Sequence, residues 1–512
     1  MKLLLAMLTK RSLIMPSLPK FLPRICVALG LPTPSKLARA AESEYKDGNQ
    51  FQEFRLDYLA SPEAGIEVLR EFKEKYPEAT ILATCRHRQA SGHFNGDIQQ
   101  QIRILKDAAA AGATFLDLEI ESAEQTRSEL AGLRELVPLC LSYHNFESTP
   151  ALGPVMKRLE RIPADAYKLA ITARKSSDNL RLFDLLASPR TTPLIAMAMS
   201  EVGLVSRVLS PAMGSVYTYA APSSGEGTAP GQVPAKLMRA LYRCEKLGAH
   251  SHVYGVIASP VSHSKSPLIH NRAFQARRID AVYLPFLVQS QLLGDYMKFA
   301  AKLPVCGFSV TIPHKQHILR YLDVVEPQAK RIGAVNTVWR KAGKWRGTNT
   351  DAEGVIQPLS KHLRLNHASV LIAGYGGAAR AAAIALCDVS AKVTITGRNM
   401  KSAQSLARIV KGTAVSLRDA QSAHYDVLVH ATPLGMSPHP DASIFTDRIP
   451  ADIVMDMVYN PHETQLLKLA KAQNATVIYG IDMLLEQAAH QFEIWTGDTA
   501  PRAVMKRAIE NQ

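Results

Sequence analysis

The spacing of apolar and polar positions changes character near residue 250. Before it, apolar runs of strand length recur at Ile25–Leu29, Phe51–Leu56, Thr80–Thr84, Thr114–Ile120, Pro138–Tyr143, Ala166–Ile171, Pro193–Met199 and Gly214–Tyr219. Most of the gaps carry apolar residues at helical spacing, as in Ile98–Ala111 and Thr126–Leu136. Strand and helix alternating eight times predict a (β/α)8 barrel, although no sequence-level repeat accompanies the rhythm. The stretch 221–232 reads as a loop from its Gly, Ser and Pro content. A helix over Val233–Leu247 is expected next, then the short link Gly248–Ser251 and a new strand, Val253–Ile257.

The second half opens as an α/β region to about residue 350 and ends in a predicted helix, Met483–Ile494. Between them, Ser369-Val-Leu-Ile-Ala-Gly-Tyr-Gly-Gly-Ala-Ala-Arg380 is an apolar strand that breaks into Gly374-x-Gly376-x-x-Ala379 and continues as an Ala-rich helix. Such glycines let the backbone turn sharply and lie against a pyrophosphate, whose charge sits at the positive end of the following helix. The pattern predicts a Rossmann fold over about 365–480. After the strand Val393–Thr396 comes Gly397-Arg398-Asn399. An NAD site would place Asp or Glu there for the ribose diol; Arg398 favours the 2′-phosphate of NADP.

At 512 residues two or three domains are expected, and a hydrophobic fraction of 47% is ample for large cores. The net charge of +15 is spread along the chain without a dense basic block, so a surface that attracts anionic metabolites is expected and nucleic-acid binding is not. The 6 cysteines are far apart and form no CxxC or Cys/His cluster, so neither a metal site nor a disulfide framework is expected, and a reducing cytoplasm fits. No apolar run is long enough to span a membrane. The patch Leu3–Leu8 is too short for a secretory signal, and its charges, Lys10, Arg11 and Lys20, lie on the wrong side. With no acidic residue before Glu42, a plastid transit peptide is the alternative to an extended start in which Met15 would serve as well as Met1.

Barrel active sites sit at the C-terminal ends of the strands. Reading those ends gives Glu53, Arg55, Asp57, Arg86, Asp117, Glu119, His144, Lys168 and Arg207. Lys168 is the unusual one, inside Ala166-Tyr-Lys-Leu-Ala-Ile171 where a core strand should be apolar. Burial favours a neutral amine, which can attack a ketone and form a Schiff base; the plainer reading is a lysine paired with a carboxylate such as Glu53. His144 can move protons or can be structural. In the second half, Ser262–Pro267, Thr311–Lys315, Gly333–Thr337 and Gly347–Asp351 are polar clusters. Lys315 with Asp351 suits proton transfer to an oxygen being reduced, and Ser264, Ser266, Thr311 and Asn336 suit a polyhydroxy ring; loop capping is the alternative for each.

The motifs Glu53-Phe-Arg-Leu-Asp57, Asp117-Leu-Glu119, Ser142-Tyr-His-Asn-Phe146, Lys168, Ser206-Arg207 and Thr228-Ala-Pro-Gly-Gln232 together resemble the type I 3-dehydroquinate dehydratases, over residues 22–247 and behind an N-terminal extension, 1–21. The resemblance implies a TIM barrel in which Lys168 forms an imine with the C3 ketone of 3-dehydroquinate. His144 would remove the C2 proton and help hydroxide leave, with Glu119 orienting it. Arg207 would bind the carboxylate, with Glu53, Arg55, Arg86, Thr228 and Gln232 lining the site. Two departures stand out: Ala90 where the family usually has Glu, and Thr228 where it has Ser.

Residues 253–512 resemble shikimate dehydrogenase, through Tyr254–Pro267, Thr311-Ile-Pro-His-Lys315, Asn349-Thr-Asp351, the Gly374 loop and Gly480-Ile-Asp-Met-Leu-Leu-Glu-Gln487. The resemblance implies a substrate lobe (253–360), a Rossmann lobe (365–480) and C-terminal helices (483–512) returning to the first lobe. Lys315 would be the acid/base beside Asp351, with Ser264, Ser266, Thr311, Asn336 and Gln487 holding the ring and carboxylate. Gly374, Gly376, Gly377, Ala378, Arg398 and Asn399 would hold NADP, with Thr432, Gly480 and Met483 near the nicotinamide. Gly397 and His430 stand where Asn is usual. The two halves would then dehydrate 3-dehydroquinate and reduce 3-dehydroshikimate to shikimate. The rivals are quinate dehydrogenase activity in the second half and a non-catalytic metabolite sensor.

Overall fold

The computed structural model describes residues 18, 19, 21–223, 227–436 and 438–510. The Leu-rich patch and Met15 lie outside the described residues. The chain divides into two units between Ser251 and His252.

In the first unit the strands are β1 (Ile25–Leu29), β2 (Phe51–Arg55), β3 (Thr80–Thr84), β4 (Phe115–Glu119), β5 (Leu139–His144), β6 (Ala166–Thr172), β7 (Leu194–Met199) and β8 (Thr218–Ala220). They pair in parallel in chain order, and β8 pairs with β1. Val216 N donates to Leu194 O at 3.1 Å and Ala196 N to Ser215 Oγ at 3.1 Å, drawing β7 and β8 together into a barrel. The eighth strand starts later than its predicted Gly214, because Gly214, at φ +110°, ends a 3-10 turn. The predicted helix Val233–Leu247 is corrected to Ala235–Ala240. Arg243, at φ +54°, adopts a left-handed conformation that no helix interior contains.

The barrel interior is layered because strand side chains alternate faces. Phe51, Leu82, Phe115, Cys140 and Ala166 form an apolar floor with Tyr217 and Tyr219. Two residues further along the same five strands stand Glu53, Thr84, Asp117, Ser142 and Lys168, all buried.

The second unit holds two sheets. The first contains β9 (His252–Ala258), β10 (Ala281–Leu287), β11 (Val305–Val310), β12 (Val324–Val325), β13 (Thr337–Lys341) and β14 (Lys344–Thr348), in the order β10-β9-β11-β13-β14-β12. The second contains β15 (Ser369–Ala373), β16 (Lys392–Thr396), β17 (Thr413–Ala414), β18 (Tyr425–His430), β19 (Ala451–Asp456) and β20 (Thr476–Ile478). It is parallel, ordered β17-β16-β15-β18-β19-β20, so the winding direction reverses between β15 and β18. Crevices at such reversals are where open α/β sheets bind dinucleotides. The last long helix runs Gly480–Thr496 rather than from Met483. Its Ala488, Ala489 and Phe492 pack with Tyr254, Ile269 and Phe274 of the first lobe.

Candidate functional site

Lys168 Nζ donates to Tyr219 Oη at 2.8 Å and to Asp117 Oδ2 at 3.0 Å, with Glu53 Oε1 at 3.6 Å. The lysine is therefore ion-paired, and its nearer carboxylate is Asp117 rather than Glu53. Asp117 also accepts from Ser142 Oγ at 2.8 Å and faces Arg86 at 3.5 Å. Burial would raise its carboxyl, but Lys168 and Arg86 outweigh that and hold it below the usual range. Glu53 accepts from Thr84 Oγ1 at 2.8 Å, and Arg55 forms a two-point pair with Asp57 at 2.9 and 2.8 Å.

His144 stands one step above Ser142 on β5, half-buried and stacked on Phe146 at 6.2 Å. Burial, then the charges of Arg86, Lys168 and Arg55, push its imidazole well below 6.5, so it rests neutral. The expected orientation of His144 by Glu119 is not made. Glu119 Oε1 instead accepts from Ser122 Oγ (2.7 Å), Gln101 Nε2 (2.8 Å) and His87 N (3.0 Å), while Glu119 Oε2 and His144 Nδ1 have no partner among the described residues. Three donors fix that carboxylate to its own strand end. Ala90 offers no substitute, since it sits in the turn Arg88–Ala90 with only a methyl group.

Arg207 is 1% exposed, and its guanidinium donates to Pro230 O at 3.1 Å, with no carboxylate paired to it among the described residues. Burial pushes its guanidinium down to about 10, and its Nε is unpartnered among the described residues. A buried cation without an anion is a ready seat for a carboxylate. Pro230 belongs to the segment in which Thr228 N donates to Gln232 Oε1 at 2.7 Å, so the predicted Thr228, Gln232 and Arg207 come together.

In the second unit Lys315 Nζ meets Asp351 Oδ2 at 2.5 Å, and Asn336 Nδ2 donates to Asp351 Oδ1 at 2.7 Å. Gln487 Oε1 lies 3.4 Å from the same amide. Four of the predicted residues thus form one cluster. Ser264, Ser266 and Thr311 are not hydrogen-bonded to it among the described residues. Ser266 N donates to Ser264 Oγ at 3.3 Å, while the backbone of Ser259 bonds Ile312 O at 3.2 Å and sets the two loops side by side. Behind the cluster runs a chain the sequence did not reveal: Tyr283 Oη to Ser309 Oγ (2.6 Å), Ser309 Oγ to Gln491 Oε1 (2.7 Å), Gln491 Nε2 to Thr337 Oγ1 (3.1 Å), Thr337 Oγ1 to Asn336 Oδ1 (2.7 Å). It fixes the amide that holds Asp351.

The cofactor crevice is formed at the ends of β15 and β18. Gly374 has φ +128°, and an added Cβ would lie 2.7 Å from Ala431 O. An added Cβ at Gly376 or Gly377 meets nothing within 4 Å, leaving open space at the start of the helix Gly377–Asp388, where a pyrophosphate fits. Ala378 stands half-buried in that first turn. Arg398 is exposed and pairs with no carboxylate among the described residues, as a 2′-phosphate ligand requires. Asn399 accepts from Ser402 N at 3.1 Å as a helix N-cap, so its carbonyl oxygen is committed. Gly397 has a packing reason: a Cβ there would lie 2.9 Å from the Tyr375 ring. His430 also has one. Its Nδ1 lies 2.8 Å from Asp456 Oδ1 and its Nε2 2.5 Å from Thr432 Oγ1. Gly480 is required by Val458 O, 2.5 Å from an added Cβ, and Met483 lies buried against Gly354.

Residues 25–266 match the family described as type I 3-dehydroquinase. Residues 256–338 match the shikimate dehydrogenase substrate binding domain, and 480–510 the shikimate 5′-dehydrogenase C-terminal domain. A shikimate dehydrogenase (NADP(+)) of Bacillus cereus is 40% identical over 268 residues, 50% of this chain and 97% of that protein. A crystal structure of shikimate dehydrogenase in complex with NADP+ shares 38% identity and a TM-score of 0.50, covering 52% of this chain and 96% of the other. A chloroplastic bifunctional 3-dehydroquinate dehydratase/shikimate dehydrogenase of Arabidopsis thaliana is 33% identical over 503 residues, 93% of this chain and 83% of that protein. With both halves matched in one relative across nearly its whole length, the chain belongs to the bifunctional 3-dehydroquinate dehydratase/shikimate dehydrogenase family.

Proposed function

We propose that Lys168 is the residue through which the first half dehydrates 3-dehydroquinate. The observation that carries this is a buried lysine between Asp117 and Tyr219, above an apolar floor and below the cations Arg55, Arg86 and Arg207. The C3 ketone and Lys168 condense to an iminium and water. Neutral His144 takes the C2 proton, the electron pair drains toward the iminium nitrogen, and the hydroxide one carbon beyond leaves with a proton returned by His144. Hydrolysis of the iminium then frees Lys168 and 3-dehydroshikimate. Arg207 holds the substrate carboxylate, with Arg55, Arg86, Thr228 and Gln232 around it.

In the second half NADPH, when bound, supplies the reducing equivalent. Lys315 delivers the proton to the oxygen being reduced, and Asp351 fixes the position of its ammonium. Asn336, Gln487, Ser264, Ser266 and Thr311 hold the ring and carboxylate, while the Gly374 loop, Arg398, Thr432 and Met483 frame the cofactor. Domain limits of 22–247, 253–360 and 365–480 follow from the same assignment. The six cysteines are unpaired, which supports a reducing compartment; a fusion to a fluorescent protein distinguishes cytoplasm from plastid.

Dehydroquinate with NADPH should yield shikimate with one NADPH consumed per turnover. Borohydride added with dehydroquinate should leave a stable adduct on the peptide containing Lys168, and Lys168→Ala should lose dehydration while keeping shikimate oxidation. An adduct on another peptide overturns the assignment. Kinetics with shikimate and quinate side by side decide the preferred alcohol.

A further inference from the structure

We infer that Tyr219 is a catalytic residue of the dehydratase half, whose hydroxyl holds the Lys168 nitrogen in the orientation from which it attacks the ketone. The inference rests on Lys168 being the imine-forming residue. Condensation converts an ammonium and a ketone into an iminium and water, so two protons leave the nitrogen with the oxygen and one N–H remains. Between those states lies a free amine, with two N–H bonds and one lone pair. Only an amine whose hydrogens are held elsewhere keeps that lone pair aimed at a substrate.

The surroundings of Lys168 Nζ supply two such holds. Asp117 Oδ2 lies at 3.0 Å and Tyr219 Oη at 2.8 Å. The third neighbour, Glu53, stands at 3.6 Å, beyond hydrogen-bond reach, and the same Oε1 is engaged by Thr84 Oγ1. Asp117 and Tyr219 therefore accept the two amine hydrogens, and the lone pair takes the remaining direction.

Tyr219 suits this task. It is 4% exposed, and besides the lysine amine its hydroxyl faces Tyr217 Oη, at 3.4 Å. Burial, then the Glu53 carboxylate, push its phenol well above 10, so the oxygen stays protonated and accepts through a lone pair. The ring also lies under Lys168, with Nζ 4.3 Å from its centroid. A phenylalanine keeps that ring contact and the packing of the floor, so Tyr219→Phe removes the hydroxyl alone.

The test is single-turnover quenching of the full chain into borohydride, following the adduct on the Lys168 peptide against time. Tyr219→Phe should form it at least about tenfold more slowly, the loss of one buried hydrogen bond. Imine formation then limits turnover, so the isotope effect on kcat from deuterium at substrate C2 should fall toward one. Tyr217→Phe removes the neighbouring hydroxyl from the same floor without touching Lys168 and should form the adduct at the wild-type rate. Adduct formation within twofold of wild type in Tyr219→Phe overturns the inference. Equal slowing in both variants does so too, since it marks damage to the floor rather than loss of a contact. An adduct that maps away from Lys168 in the wild type is instead the failure of the underlying assignment.

Discussion

His144 shows how a single residue is prepared by its surroundings. A general base must be neutral when substrate arrives. Burial and the three cations near it push His144 well below 6.5, so it is already neutral throughout the neutral range. As the proposed base, His144 would act in its neutral form, so activity should be lost only as pH falls through this lowered value. The acid limb of dehydratase kcat/KM attributable to His144 should therefore lie below pH 6.5. His144→Asn should lower dehydratase kcat by about 10²–10⁴-fold and leave dehydrogenase kcat unchanged. An acid limb at or above 6.5 that vanishes in His144→Asn would contradict the burial argument. Glu119 offers the opposite lesson. The resemblance makes it a partner for the histidine, yet Ser122, Gln101 and the backbone of His87 claim it first.

At the scale of elements, the ends of β15, β18 and β19 build the cofactor crevice as a unit. Asp456 accepts from Thr464 Oγ1 at 2.6 Å and Val458 N at 2.9 Å as well as facing His430, which in turn meets Thr432. His430→Ala should release Thr432 and weaken NADP binding by about tenfold in calorimetry, with KM for shikimate little changed. Arg398→Ala should weaken NADP about 10–100-fold and leave NAD binding as it was. Equal losses for both cofactors in Arg398→Ala would remove the 2′-phosphate assignment. Most of these elements were legible in the sequence because a strand in a parallel sheet is buried on both faces and reads as an apolar run. The misread ones, the late eighth strand and the short helix after the loop, turn on Gly214 and Arg243, where a positive φ breaks a pattern that composition continues. The candidate site residues on the barrel's strand ends stood out for the same reason, as charges where apolar residues belong. Their pairings were not. That Lys168 meets Asp117 and Tyr219 depends on how β4, β6 and β8 are placed around the barrel, and Ser309 meets Gln491 from 182 residues away.

Across the whole chain, each unit carries its own core and its own carboxylate-paired lysine, so damage to one reaction should spare the other. Lys315→Ala should cut dehydrogenase kcat by about 10²–10⁴-fold, far more than it raises KM, with dehydratase activity intact. Asp351→Asn should damage the same step, and the double variant should be little worse than the poorer single one. Acid should also destabilise the second unit, through His270. This histidine is fully buried between the rings of Tyr283 (4.5 Å) and Trp495 (5.0 Å), and among the described residues neither ring nitrogen makes a close hydrogen bond. Burial, opposed by the nearby Gln491 amide, pushes its imidazole down to about 3. In the unfolded chain the ring titrates near 6.5. Between those values the unfolded state binds the extra proton, so folding stability is full above about 6.5 and is lost as pH falls, at about 1.4 kcal/mol per pH unit. His270→Phe keeps an aromatic ring in the stack and cannot titrate. Its unfolding free energy should therefore fall less than that of wild type between pH 7 and 5, by roughly 2 kcal/mol, in the transition belonging to the second unit. Denaturant titrations at both pH values measure this. Parallel losses in wild type and variant would mean that His270 finds a partner for its proton in the folded protein.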